Sequence, residues 1–543
     1  MVQKKFESIL AEINGFGPFQ IILIIVLNIP RILLAFLFLL NNFIGALPPH
    51  HCDISTLDNE PFRNLTEQQR LTVSIPVQED GSPKSCEMFA EPQFQLLANT
   101  SNSSDLPTVQ CGSGWVYDNS TFTSTITTEW DLVCDRKSLA KTSTTIFFLG
   151  VMVGSIVLGY LSDRYGRKNT LFISCVMIAV FGFSSAFANS FILFAALRFL
   201  TGVGSAGLSN NTVVLSTEWV DVRHRPVISG MNTLSWCTGI MLLPAVAFFF
   251  RDWWTLVVAV TVPLGLTLLP LLWIPESARW LLVTGKVERA QFYLDRCAKF
   301  NKRPKLSSDL ILETLSNMKV MEKQEKNYSY LDLFRTLKMR QLSFVTGIMW
   351  FGVAFTYYGL SFNIMDFGLN MYLTHFLFAA TEVPFRVVTY WFLNVIGRRW
   401  SQAGSMLLTG ACIAINLLVP EGLSYVRAVV ASVGKGMSGA SFTVSYLYTT
   451  ELYPTVFRQK GLGFASFMCR VGVSVAPLVL LLGDVWTPLP QIVFCSVVVL
   501  SGLLCLLLAE TKNAKLPETV EDIEKPRSHQ ASGTQQRQTN ETM

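Results

Sequence analysis

Apolar runs long enough to cross a bilayer recur along this chain and leave it few ways to fold. A first set covers roughly 19–43, 142–161, 170–188, 191–216, 226–249 and 254–273, and a second covers 342–362, 371–395, 401–419, 425–448, 461–482 and 488–508. Each approaches or exceeds the ~20 residues that a helix needs to span a hydrocarbon core about 30 Å thick. Backbone N–H and C=O groups in lipid must be satisfied within the segment, so such runs become helices. The expectation is an all-α polytopic membrane protein with twelve spans, six and six. Half of the 543 residues are hydrophobic, only 15% are charged, and mean hydropathy is +0.39. That balance excludes an ordinary soluble enzyme.

The polar segments divide the chain further. Residues 1–18 read as a short amphipathic cytoplasmic lead-in with no cleavage site. The segment 44–141 holds Cys52, Cys86, Cys111 and Cys134 and the acceptor triplets at Asn64, Asn99, Asn102 and Asn119. Clustered cysteines and glycosylation triplets in one segment point to an extracellular loop with two disulfides, in any of three pairings. The segment 274–341 is a charged linker between the span sets 142–273 and 342–508, and 509–543 is a polar tail that reads as disordered. Arg164, Arg167 and Lys168, Arg223 and Arg225, Arg398 and Arg399, and Arg458 and Lys460 fall on alternate connections. The positive-inside rule therefore places both termini and the linker in the cytoplasm.

Charges inside the spans are the functional signal. Arg470 stands about nine residues into the run 461–482, roughly 13 Å along the helix, where a cation costs about 2.5 to 3.5 kcal/mol. Such residues face a wet cavity, a partner or a substrate, and this run contains no acid. Arg386 in the eighth span sits one turn from Glu382, which could neutralise it. Arg31 follows Pro30 in the first span, whose outer end carries Asn41 and Asn42; Arg31 and Asn42 join the candidate substrate contacts. Arg198 is expected to pack with Gly202 and Gly204. Trp350 and Tyr357 share a helical face, beside Tyr358, and so do Phe442 and Tyr446. Aromatic stripes often do nothing but pack, yet around a guanidinium they make a pocket for an amphipathic anion. The histidines and remaining cysteines show no metal spacing, and no phosphate-binding glycine loop is present, so neither a metal nor another cofactor is expected.

Several stretches resemble a known family. Gly159-Tyr-Leu-Ser-Asp163-Arg-Tyr-Gly166-Arg167-Lys168, with a reduced echo at Asn394 to Arg399, is similar to the motif that follows the second span in the major facilitator superfamily. Arg198-Phe-Leu-Thr-Gly202 resembles its span-four motif. Pro275-Glu-Ser-Ala-Arg-Trp-Leu281, Glu451-Leu-Tyr-Pro-Thr-Val-Phe-Arg458 and Glu510-Thr-Lys512 look like the organic ion transporter family within it. The resemblance implies two six-helix bundles around a central site. It also implies a cytoplasmic gate of bridges between the bundles, drawn from Asp163, Arg164, Arg167, Glu218, Glu276, Arg279, Glu451 and Arg458. Arg470 matches the basic position of the organic anion branch and Arg386 a second one, usually Lys. Trp350, Tyr357, Tyr358 and Phe442 match cavity aromatics. Leu37 and Phe38 depart from polar residues common in the first span of that branch.

These features lead to one expectation: a polyspecific, gradient-driven carrier of small amphipathic organic anions, working by exchange against a counter-anion or by facilitated diffusion. The resemblance places it in the plasma membrane, basolateral in epithelia. No nucleic-acid partner and no enzymatic activity are expected. The alternatives are an organic cation or zwitterion carrier, for which Glu382 is the one good candidate acid, and a non-transporting membrane receptor.

Overall fold

The computed structural model describes residues 9–55, 62, 65–78, 81–97, 106–305, 329–363, 370–420, 422–454 and 457–524, except 513, 515–516 and 518–519. Twelve helices form its body. The first six are α1 (Pro18–Leu39), α2 (Lys137–Tyr165), α3 (Arg167–Met177, continued through a π turn to Ser185), α4 (Phe191–Glu218), α5 (Arg225–Phe249) and α6 (Trp253–Leu266). The second six are α7 (Leu337–Phe362), α8 (Met371–Val395), α9 (Arg398–Leu418), α10 (Ser424–Leu452), α11 (Arg458–Val479) and α12 (Leu489–Cys505). Ten of them are long and apolar enough to cross a membrane by length and composition. Glycines, serines and Lys435 dilute α10, and α12 has 17 residues, the short end of the spanning range. Helix α2 starts at Lys137, ahead of its apolar run, because polar residues at a span end stay helical after hydropathy has fallen.

The two sets of six repeat one packing scheme. Helix α1 packs on α5, α2 on α4 and α3 on α4; in the second set α7 packs on α11, α8 on α10 and α9 on α10. The sets meet where α2 lies against α11 and α5 against α8, two contacts that exchange under the same correspondence. A duplicated architecture with its cavity at the join follows from that symmetry. The tightest crossing is α2 on α4, where a Cβ on Gly154 or Gly202 would overlap the carbonyl oxygen of Val203 or Phe147. Glycine is required there because the helix backbones touch. Beside it Arg198 is fully buried, donates from Nη2 to Asn41 Oδ1 at 3.0 Å, and lies over the Phe147 ring. It is a packing residue.

Among the described residues, the segment between α1 and α2 is the one part with strands. β1 (His50–Cys52) pairs antiparallel with β4 (Trp115–Tyr117), and β2 (Glu87–Phe89) with β3 (Thr108–Gln110). Of the three pairings open to the four cysteines, the structure has Cys52–Cys111 and Cys86–Cys134. Asn119 is exposed; Asn64, Asn99 and Asn102 lie outside the described residues. This segment marks one end of the bundles, here the loop end. The linker, with helices Ala278–Val283 and Val287–Phe300, marks the other. Asn301 ties linker to first helix, donating to Ile13 O and Gln20 Oε1 and accepting from Phe19 N.

Candidate functional site

Between the two sets of helices lies a cavity of about 220 Å³. Its wall is contributed from both sides: Arg31 and Phe38 of α1, Phe148 of α2, Trp236 of α5, Tyr357 and Tyr358 of α7, Arg386 of α8, Phe442 of α10 and Arg470 of α11. Arg470 is twelve positions past the start of its helix, about 18 Å along it. Its Nη2 donates to the side-chain oxygen of Asn210 on α4 at 3.2 Å, and its Nε has no hydrogen-bond partner. No carboxylate pairs with it among the described residues. The contact joins the two halves through a neutral amide, so no acid among the described residues is paired with the guanidinium beside the cavity. Arg31 is held in a similar way, with Nε on the Asn232 carbonyl at 2.9 Å and Nη1 unpartnered.

Arg386 is different. Its Nε donates to Glu382 Oε1 at 2.7 Å, its Nη2 reaches the same oxygen, and its Nη1 donates to Thr443 Oγ1 at 3.2 Å. The i, i+4 pairing open in the sequence is therefore made. Glu382 is fully buried and also accepts the Tyr357 hydroxyl, at 3.0 Å to Oε2. Behind Tyr357, the buried Lys435 donates to the Tyr357 carbonyl at 3.1 Å and to the Ser361 hydroxyl. Aromatic edges complete the wall. Tyr357 packs edge-on against Phe442 and Tyr358, and Phe148 edge-on against Tyr358 across the join between halves. Pro384 stands between Glu382 and Arg386 and donates no N–H to the helix ladder.

Three of the expected contacts sit elsewhere. Trp350 stands behind Phe442, its Nε1 donating to Thr449 Oγ1 at 2.9 Å, and supports the wall without lining it. Tyr446 is 53% exposed, one turn from Phe442 toward the linker end and off the cavity wall. A shared helical face fixes direction but not depth. Asn42 lies at the loop end, donating to the Ser361 carbonyl at 2.7 Å. Sequence reasoning missed Lys435 and Asn210. Lys435 carried the signal that singled out Arg470, a lone cation inside an apolar run, whereas Asn210 had none.

At the loop end the halves touch. Besides Asn42 and Ser361, Lys137 pairs with Asp484 at 2.8 Å, Lys141 donates to the Leu480 carbonyl at 3.0 Å, and Phe43 stacks on Tyr372. The linker end holds two matching acid–base clusters. In the first, Gly166 has φ +107°, and Glu276 accepts the backbone N–H groups of Arg167 and Lys168 at the start of α3. Arg167 meets Asp163 at 3.0 Å and Glu218 at 3.5 Å. In the second, Gly397 has φ +100°, Glu510 accepts the N–H groups of Arg398 and Arg399 at the start of α9, and Arg398 meets Glu451 at 3.1 Å. Each carboxylate caps a helix N-terminus, where unpaired N–H groups and the helix dipole favour an anion. These bridges bind residues of one half to each other. The expected bridges between bundles are not made by them in this conformer. Arg164 donates to the Tyr160 hydroxyl, Arg279 is exposed, and Arg458 is half-buried at the start of α11.

Burial pushes the Glu276 carboxyl above its ordinary value, against its backbone N–H partners. At Glu510 burial pushes the same way, but four backbone N–H groups outweigh it and hold the carboxyl below the usual range.

A family model described as sugar (and other) transporter matches residues 94–522. Solute carrier family 22 member 7 from Mus musculus is 43% identical over 541 residues, which cover 98% of this chain and 99% of the relative. The same member from Homo sapiens is 42% identical and covers 96% of both chains. Solute carrier family 22 member 6 from Danio rerio is 39% identical, covering 96% of this chain and 94% of its own. These relatives accord with the resemblance to organic anion transporter 2 carried by the sequences Tyr330–Thr336, Pro30-Arg31, Glu218–Asp221 and Leu516–Thr519. Among solved structures, the inward open conformation of the xylose transporter XylE from E. coli superposes with a TM-score of 0.59 at 16% identity, covering 93% of this chain and 99% of that one. The fold and the relatives are those of membrane transporters, not enzymes. The chain belongs to solute carrier family 22, within the major facilitator superfamily.

Proposed function

We propose that this membrane transporter carries small amphipathic organic anions by alternating access, with the anionic group held on Arg470. One observation carries the reading: Arg470 lines a cavity at the join of the two halves and rests on a neutral amide instead of a carboxylate. A guanidinium facing such a cavity offers forked, charge-assisted hydrogen bonds to a carboxylate, sulfate or phosphate. Phe38, Phe148, Trp236, Tyr358 and Phe442 supply flat apolar walls for the rest of the solute. Glu382, the acid that would favour a cation carrier, is fully buried under Arg386 and Tyr357 and does not line the cavity.

The family resemblance implies the plasma membrane, basolateral in epithelia, and the basic connections support a disulfide-bearing segment outside with both termini in the cytoplasm. In that frame the loop-end contacts are a shut outer mouth. Rocking of the halves parts them and brings the linker-end clusters of the two bundles together as the inner gate. Flux runs on gradients, by exchange against a counter-anion or by facilitated diffusion.

The test is uptake of labelled salicylate by surface-expressed variants. Arg470→Ala is expected to lose at least tenfold in uptake, and Arg470→Lys to keep part of it, because a charge-assisted bond is worth about 1.5 to 3 kcal/mol. Undiminished uptake in Arg470→Ala overturns the proposal.

A further inference from the structure

Three guanidiniums line the cavity, from Arg31, Arg386 and Arg470, but they are not equivalent. Among the described residues, the hydrogen bonds of Arg31 and Arg470 go to neutral oxygens, of Asn232 and Asn210. Arg386 has two of its nitrogens on one carboxylate, and that carboxylate is fully buried. An acid so placed has exchanged water for Arg386, the Tyr357 hydroxyl and the Cys237 thiol, whose sulfur lies 4.0 Å away on α5 of the other half. We propose that Glu382 is a counter-anion built into the carrier, which cancels Arg386 and so sets how many negative charges the cavity accepts from a solute.

The proposal rests on the anion-carrier reading and adds a selectivity residue to it. Solute carboxylates and Glu382 compete for the same guanidinium. While Glu382 holds Arg386, a second negative charge on the solute finds one fewer free cation to make a charge-assisted hydrogen bond. Lys435 does not replace it, because its ammonium is turned onto the Tyr357 carbonyl and the Ser361 hydroxyl, behind the wall. Glu382 thus acts on specificity without touching the solute.

The experiment compares initial uptake of benzoate and isophthalate, one ring carrying one or two carboxylates, into proteoliposomes containing the full chain. Glu382→Gln frees Arg386 and is expected to raise the isophthalate-to-benzoate ratio about tenfold, the worth of one charge-assisted bond. Arg386→Gln leaves Glu382 uncompensated and is expected to lower the ratio. The paired variant Glu382→Gln/Arg386→Gln removes both charges and is expected to keep the wild-type ratio within twofold. A purely structural role lowers uptake of both probes together and leaves the ratio of each single variant unmoved.

The proposal is overturned if the single variants leave the ratio unchanged or move it the same way. A tenfold fall in the paired variant also overturns it, since Arg386 would then hold solute directly. Breaking one side of a buried pair is strongly destabilising, whereas removing both charges is tolerated far better, so the paired variant decides where a single one fails to fold. Arg470→Ala run in parallel separates the two claims. If it spares both probes, the anion-carrier reading fails; if it abolishes both while the ratio ignores Glu382, only the counter-anion proposal fails.

Discussion

Arg470 donates to Asn210, and on the proposed reading an incoming anion shares or replaces that contact. Asn210→Asp converts that amide into a carboxylate at the same distance and supplies Arg470 with an internal partner. The expected result is a tenfold or greater loss of anion uptake at normal surface expression, while Asn210→Ala, which removes only a neutral acceptor, stays within about threefold. Arg470 was legible in the sequence because a cation within twenty apolar residues has no cheap explanation. The same argument applies to Lys435, whose run is less apolar and therefore less conspicuous. Arg386 was legible only as a choice, since spacing allowed the Glu382 pair without requiring it. Tyr446 and Trp350 show what periodicity omits: it names the face of a helix, but the depth along it and the neighbour opposite are set by packing. Asn210 was silent because an asparagine in a span becomes informative only when its partner on another helix is known.

At the scale of elements, the two glycine turns at Gly166 and Gly397 and their capping acids account for how α3 and α9 begin. The left-handed backbone at each glycine turns the chain between helices, and the carboxylate satisfies N–H groups that the helix leaves open. Glu510→Ala is expected to cost about 1 kcal/mol, seen as earlier thermal unfolding in detergent. The effect has a definite pH dependence. Glu510 is held below the ordinary carboxylate value, so its contribution is complete above about pH 4.3 and is lost as pH falls through the lower folded value. Wild type and variant should therefore converge in acid, and a difference that persists there contradicts the capping account. Helix positions were readable from hydropathy, since lipid forces every apolar run to become a helix. Helix ends were less so, and α2 shows why, because lysines that belong to the helix look like loop in a hydropathy profile. The strand pairs and the disulfide pairing depend on which polar segments meet, which composition does not encode.

For the whole molecule, the repeated packing of α1–α6 and α7–α12 makes two bodies that touch through α2 with α11 and α5 with α8. The echo of Gly159–Lys168 at Asn394–Arg399 disclosed that duplication in the sequence, while the state of the mouths had no sequence signal. Lys137 and Asp484 mark where the bodies meet at the loop end. Joining Lys137→Cys to Asp484→Cys with a short thiol-specific cross-linker is expected to abolish uptake, and reduction of a cleavable linker to restore it. Full uptake in the cross-linked protein contradicts alternating access at this mouth. The most direct measurement of the central claim is a density map of the carrier with salicylate bound. The carboxylate is expected within hydrogen-bonding distance of the Arg470 guanidinium, with the ring between Tyr358 and Phe442. Salicylate seated elsewhere, with Arg470 still on Asn210, would contradict it.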